Sequence, residues 1–163
     1  MLNLNIRLDS KKWLVLGGGT VATRRVRKIL KENGYIELIS PQVSKTILRI
    51  ESENKKLKVV KRKFRKSDIR NQDFILACTD NLEVNKSIVA IAKSKKILVS
   101  NASDRNDNDF SFTSTININK DIKINLSTDG KNPSFTKSLR IYFEETLKSK
   151  IVSLYKDKKK SIR

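Results

Sequence analysis

Between Trp13 and Arg25 the chain reads Trp13-Leu14-Val15-Leu16-Gly17-Gly18-Gly19-Thr20-Val21-Ala22-Thr23-Arg24-Arg25. An apolar run enters a glycine turn and leaves it as a basic amphipathic segment. Gly17, Gly19 and Ala22 stand at the G-x-G-x-x-A spacing of a dinucleotide fingerprint. Each position has a mechanical reason. Gly17 permits the tight turn out of a strand, Gly19 lets a pyrophosphate approach the backbone, and Ala22 lets the helix pack close to a sheet. The free N–H groups and positive dipole at the helix start then favour phosphate. The simpler reading is a glycine turn that only packs a helix on a sheet.

Other chemistry is narrowed by what the 163 residues lack. There is no histidine, and Cys78 is the single cysteine. Ser-His-Asp and Cys-His nucleophiles are excluded, as are His-ligated metals, a cysteine zinc cluster and an intrachain disulfide. No tight preformed metal site is expected. Acid–base work falls to Asp, Glu, Lys, Tyr or the substrate itself. The 36 basic residues against 17 acidic, net +19, point to an anionic partner. Such a charge can serve nucleic acid, can steer a small polyanion, or can simply keep a lysine-rich surface in solution. The basic residues are spread along the chain, aromatics are only 6% and no nucleic-acid motif is present, so nucleic acid is not the expected partner. With 37% hydrophobic and 33% charged residues, the chain suits a soluble globular protein with a modest core. No apolar run reaches the length of a membrane span. The segment from Met1 to Ile6 lacks the basic-then-apolar order of a signal peptide, so a cytoplasmic location is expected.

The glycine turn needs a sheet and helices to hold it. Leu2–Leu8 alternates like a first strand, and Trp13–Leu16 is the strand feeding the glycines. Thr20–Asn33 is helical, with Val21, Val26, Ile29 and Leu30 inward and Gly34 as the stop. Tyr35–Ile39 is a strand, Val43–Asn54 a helix and Leu57–Val60 a short strand. Phe74–Cys78 is nearly continuous in apolar residues, as a strand covered on both faces must be. Val84–Lys93 is a helix and Ile97–Val99 a strand. This alternation predicts a parallel sheet with helices on both faces. Beyond Phe110 the pattern changes. Phe112–Asn117 and Ile122–Leu126 alternate around a turn at 119–121, which predicts a hairpin. A long helix from about Pro133 carries the stripe Phe135, Leu139, Phe143, Leu147, Ile151 and Leu154. Lys156–Arg163 is basic and expected to fray.

The predicted fold class is therefore α/β, a Rossmann-type parallel sheet with a C-terminal dimerisation hairpin and helix. Residues 1–112 form the nucleotide-binding domain, 113–150 the hairpin plus helix, and 151–163 the tail. An apolar stripe beyond a complete sheet needs a cover. A second copy of the chain, in a homodimer, is the economical one; the alternative is a fold-back onto its own sheet.

In open α/β sheets, ligands gather beyond the carboxyl ends of the strands. Those ends carry Gly17–Gly19, Ser40-Pro41, Thr79-Asp80 and Asn101–Asp104. Taken in order, the segments LVLGGGTVATRRV, ISPQVS, ACTDNLEVN, NASD and LSTDGKNPSFTKSLR resemble the precorrin-2 dehydrogenases of siroheme synthesis. The likeness covers about residues 1–147. It implies NAD-dependent oxidation of precorrin-2 to sirohydrochlorin, in siroheme or cobalamin biosynthesis. It also implies that Gly17, Gly18, Gly19, Thr20, Val21 and Ala22 hold the NAD pyrophosphate. Ser40, Pro41 and Gln42 would lie against the adenosine ribose, and Thr79, Asp80 and Asn85 would frame the nicotinamide side. Asp104 matches the aspartate the family uses for dehydrogenation. Asn101 and the loop Ser127, Thr128, Asp129, Gly130 and Lys131 would face the anionic tetrapyrrole. Arg105, Lys131, Lys137 and Arg140 are candidate clamps for its carboxylates, which gives the basic charge a purpose.

Simpler roles stand beside these: a solvated loop carboxylate for Asp104, a helix N-cap for Asp80, and an exposed lysine for Lys131. Ser40 stands where most folds that choose NAD carry an acid, so spacing leaves NAD or NADP open. Two departures from the family matter. Its members usually continue into a helical C-terminal domain, and Arg105 replaces the usual acidic or small residue after Asp104. Some members also insert ferrous iron; from this chain weak or absent ferrochelatase activity is expected. The alternative is a non-catalytic member that binds nucleotide or tetrapyrrole.

Overall fold

The computed structural model describes residues 4–129 and 131–161. The chain divides into two compact units, one ending at Ser111 and the other beginning at Phe112. The first unit is built on a five-stranded, wholly parallel sheet: β1 (Lys12–Leu16), β2 (Tyr35–Ile39), β3 (Leu57–Val60), β4 (Phe74–Ala77) and β5 (Leu98–Asn101). The order β3-β2-β1-β4-β5 places β1 and β4 in the middle. Their sequences are apolar because both faces are covered: Trp13–Leu16 and Phe74–Ala77 are all buried. Leu14, Leu16, Ile39, Ile75 and Ala77 pack on one face with Ile88 and Val89 of α3 (Leu82–Ser94). The alternate residues Val15, Leu38 and Leu76 are buried on the other face. That face is covered by Ala22, Val26 and Ile29 of α1 (Thr20–Lys31) and Ile47 of α2 (Lys45–Glu53). Trp13 stacks on Phe74 at 4.3 Å between ring centroids, and Phe110 meets both rings edge-on.

Three local readings are corrected. Leu4–Leu8, the described part of the expected first strand, joins no sheet; Leu4 and Ile6 are exposed. Alternation alone cannot supply a strand with a neighbour. At the end of α1 the left-handed residue is Asn33 (φ 63°), not Gly34. Gly34 is glycine for space: a Cβ there would lie 2.5 Å from Ile29 Cγ2 and 3.2 Å from the Trp13 ring. β5 runs on through Ser100 and Asn101, both buried, because Asn101 pairs with Ala77.

The second unit contains a hairpin of β6 (Ser114–Asn117) and β7 (Lys123–Leu126), paired antiparallel. Asn119 Oδ1 closes its turn by accepting the N–H groups of Asp121 and Ile122, each at 2.8 Å. α4 (Pro133–Tyr142) starts at Asn132, whose Oδ1 accepts the Phe135 N–H at 2.9 Å, with Pro133 just inside the helix. A single π turn, Phe143–Leu147, joins it to α5 (Lys148–Ser161). The stripe from Phe135 to Ile151 recurs every four residues, which drifts around a helix of 3.6 residues per turn; the wider π turn takes up part of that drift. The tail expected to fray is helical through Ser161, and Tyr155 donates its hydroxyl to Asp121 at 2.7 Å.

The loop between β3 and β4 makes one 3-10 turn, Lys66–Asp68. Asp68 is buried there and takes both guanidinium nitrogens of Arg62 at 2.7 Å, plus the Arg65 N–H at 2.8 Å. The Arg62 fork holds the Asp68 carboxyl below its ordinary range, and Lys11 with the Lys12 N–H does the same for Asp73. Each carboxylate is therefore stabilised as an anion more in the folded chain than in the unfolded one. That stabilisation is complete above the unfolded carboxylate pKa of about 4 and is lost as pH falls through the depressed folded values. The melting temperature is expected to hold from neutral pH down to about 5 and to fall below about 4. Asp68→Asn should melt lower at neutral pH and show a shallower acid slope. A variant with the parent's melting temperature and slope would remove Asp68 from this role.

Candidate dinucleotide and substrate site

The order of the sheet reverses at β1: β2 lies on one side and β4 on the other. The crevice beyond their carboxyl ends is the place where such sheets take ligands. Gly17 sits in it with φ +118°, and its N–H donates to the Ile39 carbonyl at 3.1 Å. A Cβ at Gly17 would lie 2.3 Å from the Cys78 carbonyl oxygen, so both conformation and space demand glycine. At Gly18 a Cβ would lie 2.2 Å from the Gln42 carbonyl oxygen, a requirement that spacing alone did not reveal.

Gly19 is different. Its backbone is extended with φ −88°, and a Cβ would meet nothing within 4 Å. No side chain caps α1 at this position, and its first turn holds no acid. Thr20 is exposed, Val21 half-buried and Ala22 fully buried against the sheet. The result is an open space in front of unclaimed helix N–H groups, which fits a pyrophosphate.

Two hydroxyls that the sequence reading passed over tie the next loop to this turn. Ser44 N–H donates to the Gly18 carbonyl at 3.0 Å, and Ser44 Oγ lies 3.1 Å from Thr23 Oγ1. Thr23 Oγ1 also lies 2.9 Å from the Gly19 carbonyl. Ser44 caps α2, a role its position before an apolar-periodic run could have signalled. Ser40 is only 6% exposed, and its hydroxyl donates to the Gln42 carbonyl at 2.6 Å. Pro41 and Gln42 are exposed at the crevice rim.

Beyond β4 and β5 a buried polar network does the positioning. Asn85 is fully buried, and its Oδ1 accepts the Thr79 N–H at 3.1 Å and hydroxyl at 2.7 Å. Its Nδ2 donates to the Thr79 carbonyl and to Ser103 Oγ, both at 3.0 Å. Ser103 in turn donates its N–H and hydroxyl to Asn101 Oδ1 at 3.0 and 2.6 Å. The Asn101 N–H is taken by Asn108 Oδ1, and Asp109 is bonded to Val99 through both backbone and side chain. Asn85 and Asn101 therefore spend these groups bolting the loops together. Asp80, Asp104 and Arg105 are left exposed on them. Asp104 Oδ1 accepts the Asn106 N–H at 2.9 Å in a tight turn, and Oδ2 has no protein partner among the described residues. Asp80 is not the helix cap. Asn81 takes that place, with Oδ1 accepting the Val84 N–H at 3.0 Å, because α3 begins at Leu82 and the cap is the residue directly before it. Cys78 lies behind the turn, and burial pushes its thiol up to about 11, so it stays protonated and offers no nucleophile.

The remaining expected site residues belong to the second unit. Thr128 organises their loop: its hydroxyl accepts the Asn132 N–H at 3.2 Å and its carbonyl accepts the Lys131 N–H at 2.8 Å. Asp129 adopts φ +46°, with its N–H on Ser127 Oγ at 3.1 Å. Gly130 lies outside the described residues. Lys131 and Lys137 are exposed. Arg140 is paired with Glu144 at 2.6 Å, so it is not a free clamp. Among the described residues, no group of three or more His, Cys, Asp and Glu side chains could hold a metal ion.

Comparison with known proteins agrees with the crevice. A family model of NAD(P)-binding domains matches residues 4–114. The precorrin-2 dehydrogenase of Bacillus subtilis (strain 168) is 35% identical over 139 residues, 85% of this chain and 84% of that protein. The siroheme synthase of Pseudoalteromonas translucida is 31% identical over 134 residues, 82% of this chain but only 28% of that longer protein. Among solved structures, SirC, a precorrin-2 dehydrogenase, superposes with a TM-score of 0.70 at 30% identity, covering 86% of this chain and 68% of that one. The chain belongs to the precorrin-2 dehydrogenase family.

Proposed function

We propose that this chain oxidises precorrin-2 to sirohydrochlorin with NAD, a step of siroheme biosynthesis. The observation that carries this reading is the open, uncapped start of α1 at Gly19, at the switch point of the sheet, in a member of that family. When bound, NAD supplies the hydride acceptor. The chain's own part is to bind, orient and handle the proton. The N–H groups from Gly18 to Ala22 hold the pyrophosphate, and the segment Ser40–Gln42 lies along the ribose. Thr79 and Asp80 border the nicotinamide side, with Asn85 acting behind them as a positioning residue.

Asp104 is the group we assign to the reacting macrocycle. It is an exposed carboxylate on a loop pinned at both ends, with one oxygen turned into its own loop and the other unclaimed. It can accept the proton that the macrocycle releases, or set the ring against the nicotinamide. With no histidine in the chain, no stronger neutral base competes with it. Arg105, next to Asp104, is a cation suited to a substrate carboxylate; in the second unit Lys131 and Lys137 are exposed cations of the same kind, and Ser127, Thr128 and Asp129 shape the loop that carries Lys131. The net charge of +19 draws a polyanion towards them.

The working form we propose is a homodimer. No residue of α4 is buried, and Phe135, Tyr142 and Leu154 are 54%, 56% and 64% exposed. Such an apolar helix face is costly to leave in water, and a second copy covers it symmetrically. No helix among the described residues is long and apolar enough to cross a membrane. A cytoplasmic site of action goes with an NAD-dependent biosynthetic step.

The glycines separate folding from binding. Gly17→Ala must strain a positive φ and push on β4, at about 1–3 kcal/mol for the strain alone, and should lower the melting temperature. Gly19→Ala meets no protein atom and keeps an ordinary backbone, so beyond the small cost of alanine at a helix cap its melting temperature should fall far less than that of Gly17→Ala, while NAD binds on the order of tenfold more weakly by calorimetry. Unchanged NAD affinity in Gly19→Ala would move the pyrophosphate elsewhere.

Asp104→Asn should lower turnover of precorrin-2, followed by NADH absorbance and the sirohydrochlorin spectrum, by roughly two to four orders of magnitude. Its NAD affinity should stay within about threefold of the parent. Turnover near the parent's rejects the assignment, and a parent that forms neither product rejects the function.

Light scattering on the eluting protein should give twice the chain mass for the parent. Tyr142→Asp combined with Phe135→Asp should give the monomer with an unchanged circular dichroism spectrum. A monomeric parent ends the dimer proposal.

A further inference from the structure

We propose that the dinucleotide site also accepts a 2′-phosphorylated dinucleotide, NADP, and that Lys61, just after β3, and Lys45, at the start of α2, are the basis of that tolerance. The inference rests on the dehydrogenase reading and concerns the ribose end of the same site. Folds that select NAD place a carboxylate at the end of the second strand. It accepts the ribose 2′-hydroxyl and repels a 2′-phosphate. In this chain the end of β2 is Ser40, which is buried and has donated its hydroxyl to the Gln42 carbonyl. From Ser40 onward the first acid is Glu51, in α2, and its Oε1 is taken by the Val59 N–H at 2.6 Å.

Two further acids belong to this edge of the sheet, Glu37 and Asp68. Glu37 lies inside β2 opposite Lys58, on the face of Leu14 and Leu16, and its charge acts on Arg62. Asp68 is buried under the Arg62 fork. The repulsive element that would exclude a phosphate is missing from the ribose edge.

Cations lie on the elements next to that position. The Ser40 N–H donates to the Val60 carbonyl at 3.2 Å, so the ends of β2 and β3 lie side by side, and Lys61 is the next residue of the chain. Lys61 is exposed and forms no ion pair with any described carboxylate. Lys45, also exposed and without an ion pair to any described carboxylate, is the first residue of α2, immediately after the Ser44 cap. α2 has no acid in its first turn, so its dipole adds to the same positive field. A dianion at the ribose 2′ position would lie in the field of these ammonium groups and of the helix start, with no carboxylate between residues 40 and 50.

The test is a pair of titrations on the full chain, one with NADH and one with NADPH, following the change in nicotinamide fluorescence on binding. The expected NADPH dissociation constant lies within about tenfold of that for NADH at low salt. It should weaken more steeply than NADH as salt rises, because the extra contact is between charges. Lys61→Glu should weaken NADPH about tenfold or more and NADH less than about threefold, Lys61→Arg should keep the parent's ratio, and Lys45→Glu should act in the same direction as Lys61→Glu. NADH binding with NADPH about a hundredfold weaker overturns the inference and leaves the dehydrogenase reading standing. Equal weakening of both nucleotides by Lys61→Glu overturns the role of Lys61. Failure of the parent to bind either nucleotide overturns the dehydrogenase reading and this inference with it.

Discussion

At the carboxyl ends of β1 and β4 the two backbones come so close that no side chain fits between them. A Cβ on Gly17 would stand 2.3 Å from the Cys78 carbonyl oxygen, and one on Gly18 would stand 2.2 Å from the Gln42 carbonyl oxygen. This crowding lets the chain leave β1, turn on a positive φ and enter α1 within three residues. It also fixes where α1 begins. Because the start of α1 has neither a side-chain cap nor an acid, its N–H groups remain available at the point where the sheet order reverses. Gly19 repeats the glycine theme for the opposite reason. The protein leaves its missing Cβ as open space, and a ligand is the natural use of that space.

The other side of the crevice is organised by buried amides. Asn85 joins the loop after β4, the helix α3 and the loop after β5 through four hydrogen bonds. A buried amide with all its groups paired is a strong local constraint, since breaking any one bond leaves a desolvated donor or acceptor. The chain spends its polar interior on holding Thr79 and Asn101–Ser103 still. Asp80 and Asp104 are then presented from a rigid base. A carboxylate whose geometry is set beforehand is better placed for chemistry, and the role proposed for Asp104 draws on this network.

Charge is distributed with the same division of labour. The pair Arg62–Asp68, buried at its carboxylate, and the half-buried pair Lys11–Asp73 fasten loops between strands. Most remaining lysines and arginines are solvent-facing, where a pair contributes little to stability but the summed field still acts on an approaching anion. Arg140 shows how composition can mislead: it reads as a clamp, yet Glu144 one helical turn on already neutralises it.

Local physics is legible in the residues themselves. β2 and β3 occupy the expected spans because apolar runs between turn residues leave little choice, and the glycine fingerprint marks its own strand and helix. Asn33 rather than Gly34, Asn81 rather than Asp80, and the unpaired Leu4–Leu8 were not legible, since neighbouring residues of similar propensity are told apart only by what stands opposite them. The same holds for the site. Sequence by itself determined the parallel α/β class, the glycine turn between β1 and α1 and the exclusion of histidine chemistry, because each follows from residue type and short-range spacing. Tertiary structure alone decided that Gly18 is required by Gln42, that Asn85 is a bolt, and that Ser44 and Thr23 clasp the turn. Those roles are contacts between segments far apart in the chain, and a spacing rule carries no distance between them.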